Sequence, residues 1–265
     1  MIRAIFFDID GTLISMKTRR FEPELIRALH QLKDQGIRLC IASGRPPVQL
    51  PLLGADFNAF PWDALILMNG QYCLDENGEC FRKMPIPQEA LRQLVPWLKT
   101  TADYPCTFYE IDYMYDLRFN QGMYDYLKSL GKEEQMPKVD DPVRSFTHDT
   151  YQICPYFDAS RDEEWLKHAP GMKSARWTPA FADMIPEGGG KPEGIRAALE
   201  KWGISREECM TFGDGGNDIS MLRYAGIGVA MGNAADDVKA AADYVCPACE
   251  DSGILEAFRH FKLLQ

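Results

Sequence analysis

Positive charge is in short supply in this chain. Lys and Arg together number 29 against 39 Asp and Glu, a formal net charge of −10, with a pI near 5.0. Nucleic acid and anionic membrane surfaces are therefore excluded as main partners, since both are bound through basic faces. Long hydrophobic runs are missing as well, and no stretch approaches the about 20 apolar residues of a transmembrane helix. The first apolar run is broken by Asp8 and Asp10 with no small-residue cleavage pattern after it, so a secretory signal is not expected. Histidine is scarce: His30, His148, His168 and His260 show no clustering, and none is put forward as catalytic. The cysteines, Cys40, Cys73, Cys80, Cys106, Cys154, Cys209, Cys246 and Cys249, are scattered, several in apolar strand-like runs where cysteine acts as a small hydrophobe. A reduced, cytoplasmic protein is expected.

What is present is ordinary globular material: 265 residues, 46% hydrophobic and 26% charged. That suffices for one large domain or a core with a smaller second one. The run Ala4-Ile5-Phe6-Phe7 has no polar alternation, which suits a strand covered on both faces of a parallel sheet, and it stops at Asp8-Ile9-Asp10-Gly11-Thr12. Ligands of such sheets sit beyond the carboxyl ends of the strands, so Asp8 and Asp10 are placed where chemistry happens. Gly11 permits a tight exit that turns backbone N–H groups toward an anion, and Thr12 adds a hydroxyl. Two acids two positions apart can share a hard metal while one attacks and the other moves a proton. An ordinary Asp-Gly turn would explain the same residues without chemistry.

Apolar positions at Leu25, Ile26, Ala28, Leu29 and Leu32 predict a helix over 23–35 ended by Gly36, and Ile37 to Ala42 reads as a second strand. That strand runs into Ser43-Gly44-Arg45, whose hydroxyl, flexible glycine and cation can cradle a phosphate or simply turn the chain. A third buried run, Ala64 to Met68, precedes Asn69-Gly70 and a hairpin around Glu76-Asn77-Gly78. From Arg82 the character changes to a helix-like 88–100, an aromatic stretch from Phe108 to Leu117, a polar segment from Lys132 to Asp141 and a strand-like Tyr151 to Phe157. This middle section is expected to form a separate α+β unit with antiparallel strands.

The α/β pattern resumes at Ile185. Gly188-Gly189-Gly190-Lys191 opens a helix over 192–202 but fails as a nucleotide loop, because Ile185 stands where the leading glycine belongs and Pro192 replaces the Ser or Thr. Lys191 remains as a cation at a helix start, suited to a phosphoryl oxygen. A fourth strand, Cys209 to Phe212, delivers Gly213-Asp214-Gly215-Gly216-Asn217-Asp218, a loop that can bring carboxylates to a divalent cation at little steric cost. The frame and ligand spacing of an EF-hand are missing. Ile227 to Met231, a helix over 234–242, a short strand at Tyr244 to Cys246 and a helix over 253–261 complete the layer. Cys246-Pro247-Ala248-Cys249 has no second pair at zinc-ligand spacing and does not open a thioredoxin-like unit, so no redox or metal role is assigned to it.

In type, order and context, Asp8-Ile9-Asp10-Gly11-Thr12, Ser43-Gly44-Arg45, Lys191 and Gly213 to Asp218 resemble the four motifs of the haloacid dehalogenase superfamily of phosphatases. The run through Met221-Leu222, Ala225-Gly226 and Gly228 to Ala234 is similar to its Cof-type branch, which inserts a large α/β cap between the second and third motifs. The resemblance covers nearly the whole chain. It implies a doubly wound parallel, Rossmann-like α/β core of residues 1–82 and 185–265, and an α+β cap of 83–184. It further implies that Asp8 attacks phosphorus and that Asp10 protonates the leaving oxygen, then activates water. Mg²⁺ would be held by the Asp8 carboxylate, the Asp10 backbone carbonyl and Asp214. Ser43, Gly44, Lys191 and Asn217 would bind the phosphoryl group, with Thr12, Arg45 and Asp218 in support. The chain departs from the family pattern at Pro192, where many relatives have glycine, and at Cys246 to Cys249, which is usually polar.

The implied function is hydrolysis of small phosphorylated metabolites, sugar phosphates among them, through an aspartyl-phosphate. A phosphomutase of the same superfamily would use the same acids. From another class, a phospho-signalling receiver domain shares the doubly wound fold, but its phospho-acceptor aspartate ends the third strand, where this chain has Met68-Asn69-Gly70. A related pump ATPase would need membrane spans and a threonine in place of Asp10. The motifs carry no signal for oligomeric state.

Overall fold

The computed structural model describes residues 1–129 and 138–264. Positions 132–137 of the expected polar segment lie outside the described residues. The chain divides into two compact units, one of Met1–Arg45, Pro51–Lys83 and Gly190–Gln265, the other of Pro46–Leu50 and Met84–Gly189.

The first unit opens with β1 (Ala4–Phe7), α1 (Pro23–Asp34), β2 (Arg38–Ala42), the short α2 (Ala55–Ala59), β3 (Ala64–Leu67) and the antiparallel hairpin β4 (Tyr72–Asp75) and β5 (Cys80–Lys83). Pro23 sits at the start of α1, whose buried Leu25, Ala28, Leu29 and Leu32 recur at helical spacing, and Gly36, at φ +81°, lets the chain leave it. In the hairpin, Asp75 Oδ1 accepts from the backbone N–H groups of Asn77 and Glu79, each at 3.0 Å, which shapes the turn.

The second unit holds α3 (Gln88–Thr100), β6 (Cys106–Tyr109), β7 (Met114–Asp116), α4 (Gln121–Ser129), β8 (Lys138–Val139), β9 (Gln152–Pro155), α5 (Asp162–Lys167), β10 (Met172–Thr178) and β11 (Phe181–Pro186). Its sheet runs β10-β11-β9-β6-β7-β8, antiparallel except for the parallel pair β7 and β8. Alternation sends Phe108, Tyr115, Ile153 and Met184 into a core with Leu91, Leu94, Val95, Leu98 and Trp165. Thr107, Asp116, Gln152, Cys154 and Asp183 alternate with them and are buried too. Two members of the aromatic stretch, Phe108 and Tyr115, are therefore packing residues, while Glu110 is held by both nitrogens of an Arg144 fork at 2.8 Å each.

The chain then returns to the first unit through α6 (Lys191–Trp202), β12 (Cys209–Gly213), α7 (Ile219–Tyr224), β13 (Ile227–Ala230), α8 (Asp236–Lys239), β14 (Tyr244–Val245) and α9 (Gly253–His260). The sheet order is β14-β13-β12-β1-β2-β3-β4-β5, parallel from β14 to β3. Phe6, Ala42 and Ile66 pack on one face against Ile195, Ala198, Leu199 and Met221. On the other, Phe7 stacks on Phe212 with ring centroids 5.2 Å apart and meets Phe258 of α9 edge-on. This two-sided cover is why β1 reads as unbroken apolar sequence. From β1 the chain winds one way to β2, and from β12 the other way to β13, so the crevice of this doubly wound sheet opens at the carboxyl ends of β1 and β12. The helix expected over 234–242 is confined to α8, because after Lys239 the chain continues in tight turns, Ala241 N–H to Val238 and Ala242 N–H to Lys239.

Asp116 gives the second unit a pH dependence. It is 1% exposed, one carboxylate oxygen accepts from Thr107 Oγ at 2.6 Å, and Oδ2 has no partner among the described residues. Burial, opposed by the Thr107 bond, raises its pKa from 3.8 to about 7. The folded chain thus holds this proton more tightly than the unfolded one. Its contribution to stability is complete below the ordinary value of 3.8 and is lost as pH rises through about 7. Thermal unfolding across that window should show Asp116→Asn gaining stability relative to the wild type as pH increases. Parallel pH profiles for the two proteins would mean that Asp116 is not held neutral.

Candidate functional site

Asp8 follows directly from β1 and its N–H still bonds to Phe212 O at 2.9 Å, so the ladder with β12 fixes its backbone. The chain then doubles back, with Gly11 N–H on Ile14 O and Ile14 N–H on Ile9 O, both 2.8 Å. Gly11 has φ +88°, and a Cβ there would stand 2.2 Å from Asp214 Oδ2. Only glycine lets the β1 and β12 loops approach this closely.

At the head of α6, Lys191 points its ammonium between two carboxylates, 2.6 Å from Asp8 Oδ1 and 2.5 Å from Asp218 Oδ1. Asp218 is fully buried, and its other oxygen accepts from the backbone N–H groups of Asp214 at 3.0 Å and Gly215 at 2.9 Å. Thr12 Oγ donates to Asp214 Oδ1 at 2.8 Å. Residues 8, 12, 191, 214 and 218 are thus one hydrogen-bonded assembly drawn from three segments of the chain.

Its electrostatics are unbalanced. Burial, reinforced by the charges of Asp218 and Asp10 and opposed by Lys191, pushes Asp8 up to about 7. Burial together with Asp8 and Asp218 pushes Asp214 up to about 8. Burial alone would lower the Lys191 pKa, yet Asp218 and Asp8 outweigh it and hold the ammonium above its ordinary value. Three carboxylates face one ammonium, and one oxygen from each of Asp8, Asp214 and Asp218 lies within 4.8 Å of the others. Hard oxygen ligands with surplus negative charge fit a divalent cation, which would relieve the repulsion.

The second motif lies on the neighbouring strand. Ser43, 2% exposed, accepts at Oγ from Arg45 N–H at 3.2 Å, with Gly44 between them in the turn. Arg45 grips Asp10 with both ends of its fork, Nε to Oδ2 at 2.6 Å and Nη2 to Oδ1 at 2.7 Å. The Asp10 carboxylate is therefore directed to Arg45, and the acidic cluster takes in Asp218 instead. Asn217 donates to Asn69 Oδ1 at 3.0 Å, and Asn69 N–H donates to Ser43 O at 2.9 Å, which links the loops after β12, β3 and β2.

Three residues at this edge carry no site role in the sequence reading. Asn69, at φ +54° and 1% exposed, looked like a turn residue, although its place at the tip of a parallel strand was a signal. Asn233 donates through Nδ2 to Gly11 O at 3.0 Å and Asp214 Oδ2 at 3.2 Å. Cys249 donates through its thiol to Thr12 O at 3.0 Å. Cys246 points elsewhere, to Ala230 O and Met231 Sδ, and burial pushes both thiols up to about 12, so neither is a thiolate at neutral pH.

The sequence profile described as haloacid dehalogenase-like hydrolase matches residues 5–258. YkrA of Bacillus subtilis (strain 168) is 30% identical over 269 residues, spanning 99% of this chain and 99% of its own. The 5-amino-6-(5-phospho-D-ribitylamino)uracil phosphatase YcsE of the same organism is 25% identical across 99% of this chain and 96% of its own. The solved structure of the subclass IIB sugar phosphatase BT4131 superposes with a TM-score of 0.90 at 37% identity, covering 99% of this chain and 100% of that one. No helix among the described residues is long and apolar enough to cross a membrane.

Lys191 offers a direct test of the charge assembly. Replacing it with methionine keeps the length of the side chain but leaves two buried carboxylates unpaired, which should cost about 3 to 5 kcal/mol of stability in urea unfolding. Added divalent cation should recover part of that loss. Unchanged unfolding in Lys191→Met would show that the ammonium is not what holds Asp8 and Asp218 together.

Proposed function

The chain belongs to the haloacid dehalogenase-like hydrolases, and from that premise we propose that it is a Mg²⁺-dependent phosphatase of small phosphorylated metabolites, sugar phosphates among them. The observation that carries this reading is the Asp8–Lys191–Asp218 assembly with Asp214 beside it at the carboxyl ends of β1 and β12. The kinship with a sugar phosphatase and with a phosphatase of a ribityl phosphate supports the substrate class.

In this mechanism Lys191 holds the Asp8 carboxylate by Oδ1 and aims it at the phosphorus. A bond forms from Asp8 to phosphorus as the bond to the leaving oxygen breaks, and Asp10 gives that oxygen a proton. Asp10 then takes a proton from water, the water oxygen bonds to phosphorus, and the bond to Asp8 breaks to free phosphate. In the resting geometry both Asp10 oxygens accept from Arg45, so proton delivery requires the carboxyl to leave that fork. The Ser43 hydroxyl, the Gly44 turn, Lys191 and Asn217 take the phosphoryl oxygens. Asp8, Asp214 and the Asp10 carbonyl would hold Mg²⁺, which when bound would supply the charge neutralisation that lets a phosphate dianion approach these acids. Asp218, held by Lys191 and two backbone N–H groups, acts by positioning Lys191. Residues 83–184 are assigned as the cap that discriminates among leaving groups, and eight free cysteines suit a reducing cytoplasm.

The test is phosphate release from a panel of phosphorylated metabolites with Mg²⁺. Activity should be strongest on small sugar phosphates, disappear in Asp8→Asn and fall about 10²- to 10⁴-fold in Asp10→Asn. EDTA should silence the enzyme and Mg²⁺ restore it. Wild-type turnover in Asp8→Asn, or full activity in chelator, would overturn the assignment.

A further inference from the structure

The loop that carries Asp214 does not by itself hold the carboxylate in place. Oδ1 is held by the Thr12 hydroxyl at 2.8 Å, and Oδ2 is approached by the Asn233 amide at 3.2 Å. Both of these residues lead to Cys249. Its thiol donates to the Thr12 carbonyl at 3.0 Å, and its backbone N–H donates to Asn233 Oδ1 at 2.9 Å. Asn233 also donates to the Gly11 carbonyl at 3.0 Å. The result is a closed circuit, Asp214 to Thr12 to Cys249 to Asn233 and back to Asp214, joining the loops that follow β12, β1, β14 and β13.

We propose that Asn233 and Cys249 form a clasp that positions Asp214 for the divalent cation. The inference rests on the metal reading given above. A carbonyl oxygen can only accept, so the sulfur of Cys249 must be the donor, and its role is that of a protonated thiol. Cys246, bonded to Ala230 O and Met231 Sδ, is not its redox partner. The carboxylate also lies close against the β1 loop: Asp214 Oδ2 stands 2.2 Å from where a Cβ on Gly11 would be, so any side chain at that position would displace it. Holding a ligand carboxylate by both oxygens limits its rotation before the cation arrives, and partners of this kind are commonly worth about 10- to 100-fold in metal affinity.

Mn²⁺ titrated into the full-length protein and followed by its paramagnetic resonance reads the clasp without turnover. Asn233→Ala should weaken Mn²⁺ binding by about 10- to 100-fold. Cys249→Ala, which removes only the weak thiol donor, should weaken it by a smaller factor, on the order of threefold to tenfold. Cys249→Ser should return the affinity toward the wild-type value, because a hydroxyl can donate to the same carbonyl. At saturating Mg²⁺ the substrate KM should be unchanged in all three. Cys249→Ala truncates a single atom, so it keeps the test open if Asn233→Ala does not fold. A wild-type protein that binds no Mn²⁺ would overturn the metal reading itself. Wild-type binding with equal affinity in Asn233→Ala and Cys249→Ala would overturn the clasp alone. A loss in Cys249→Ala that serine does not restore would overturn the donor role of the thiol.

Discussion

The Lys191 ammonium, buried between Asp8 and Asp218, is the contact on which the site depends. Placing a lysine out of water is costly, and one carboxylate would leave two of its three donors with less to bond. Two carboxylates repay the desolvation and raise the pKa of the amine above its usual value. The same contact ties β1, the head of α6 and the loop after β12 to one point, although 183 residues separate Lys191 from Asp8. Asp218 is secured in turn by the backbone of its own loop, so the ammonium is aimed by a carboxylate that cannot itself turn away.

Short parallel strands make this convergence possible. Each of β1, β2, β3 and β12 ends within one ladder, so the polar residue one to three positions beyond each strand reaches the same edge. The loops then approach more closely than side chains normally allow. Gly11 against Asp214 and Gly213 against Asp218 each leave no room for a Cβ. Glycine at these two places is therefore a condition for the acidic cluster, since a methyl group at either would push a carboxylate aside. Burial, together with the negative charge concentrated there, drives Asp8 and Asp214 above the ordinary carboxylate range, an arrangement suited to a site that takes a cation.

Local chemistry was legible in the sequence. An apolar run without alternation marks a strand covered on both faces, and Ala4 to Phe7 is fully buried at the centre of the sheet. Helical spacing marked α1, the acids and the hydroxyl at strand ends marked Asp8, Asp10, Ser43 and Asp214, and the cation at a helix start marked Lys191 as candidates. These features depend on residue type and on periodicity over a few positions, which a sequence displays directly. The same reasoning over-extended α8, whose alanine-rich tail satisfies helical propensity but tightens into turns before β14.

Partnership was decided by the tertiary structure. Nothing in the order of residues says that Arg45 closes on Asp10, that Asn217 meets Asn69 across 148 positions, or that Asn233 and Cys249 reach the Asp214 loop. Such pairs depend on which strands are neighbours and in what register, and in a doubly wound sheet that order departs from the order of the chain. The sequence by itself determined the fold class and the chemical types at the strand ends, because both are written in local pattern. Which donor faces which acceptor, and so which acid Arg45 grips and which acids gather around Lys191, was settled only when the sheet set those ends side by side.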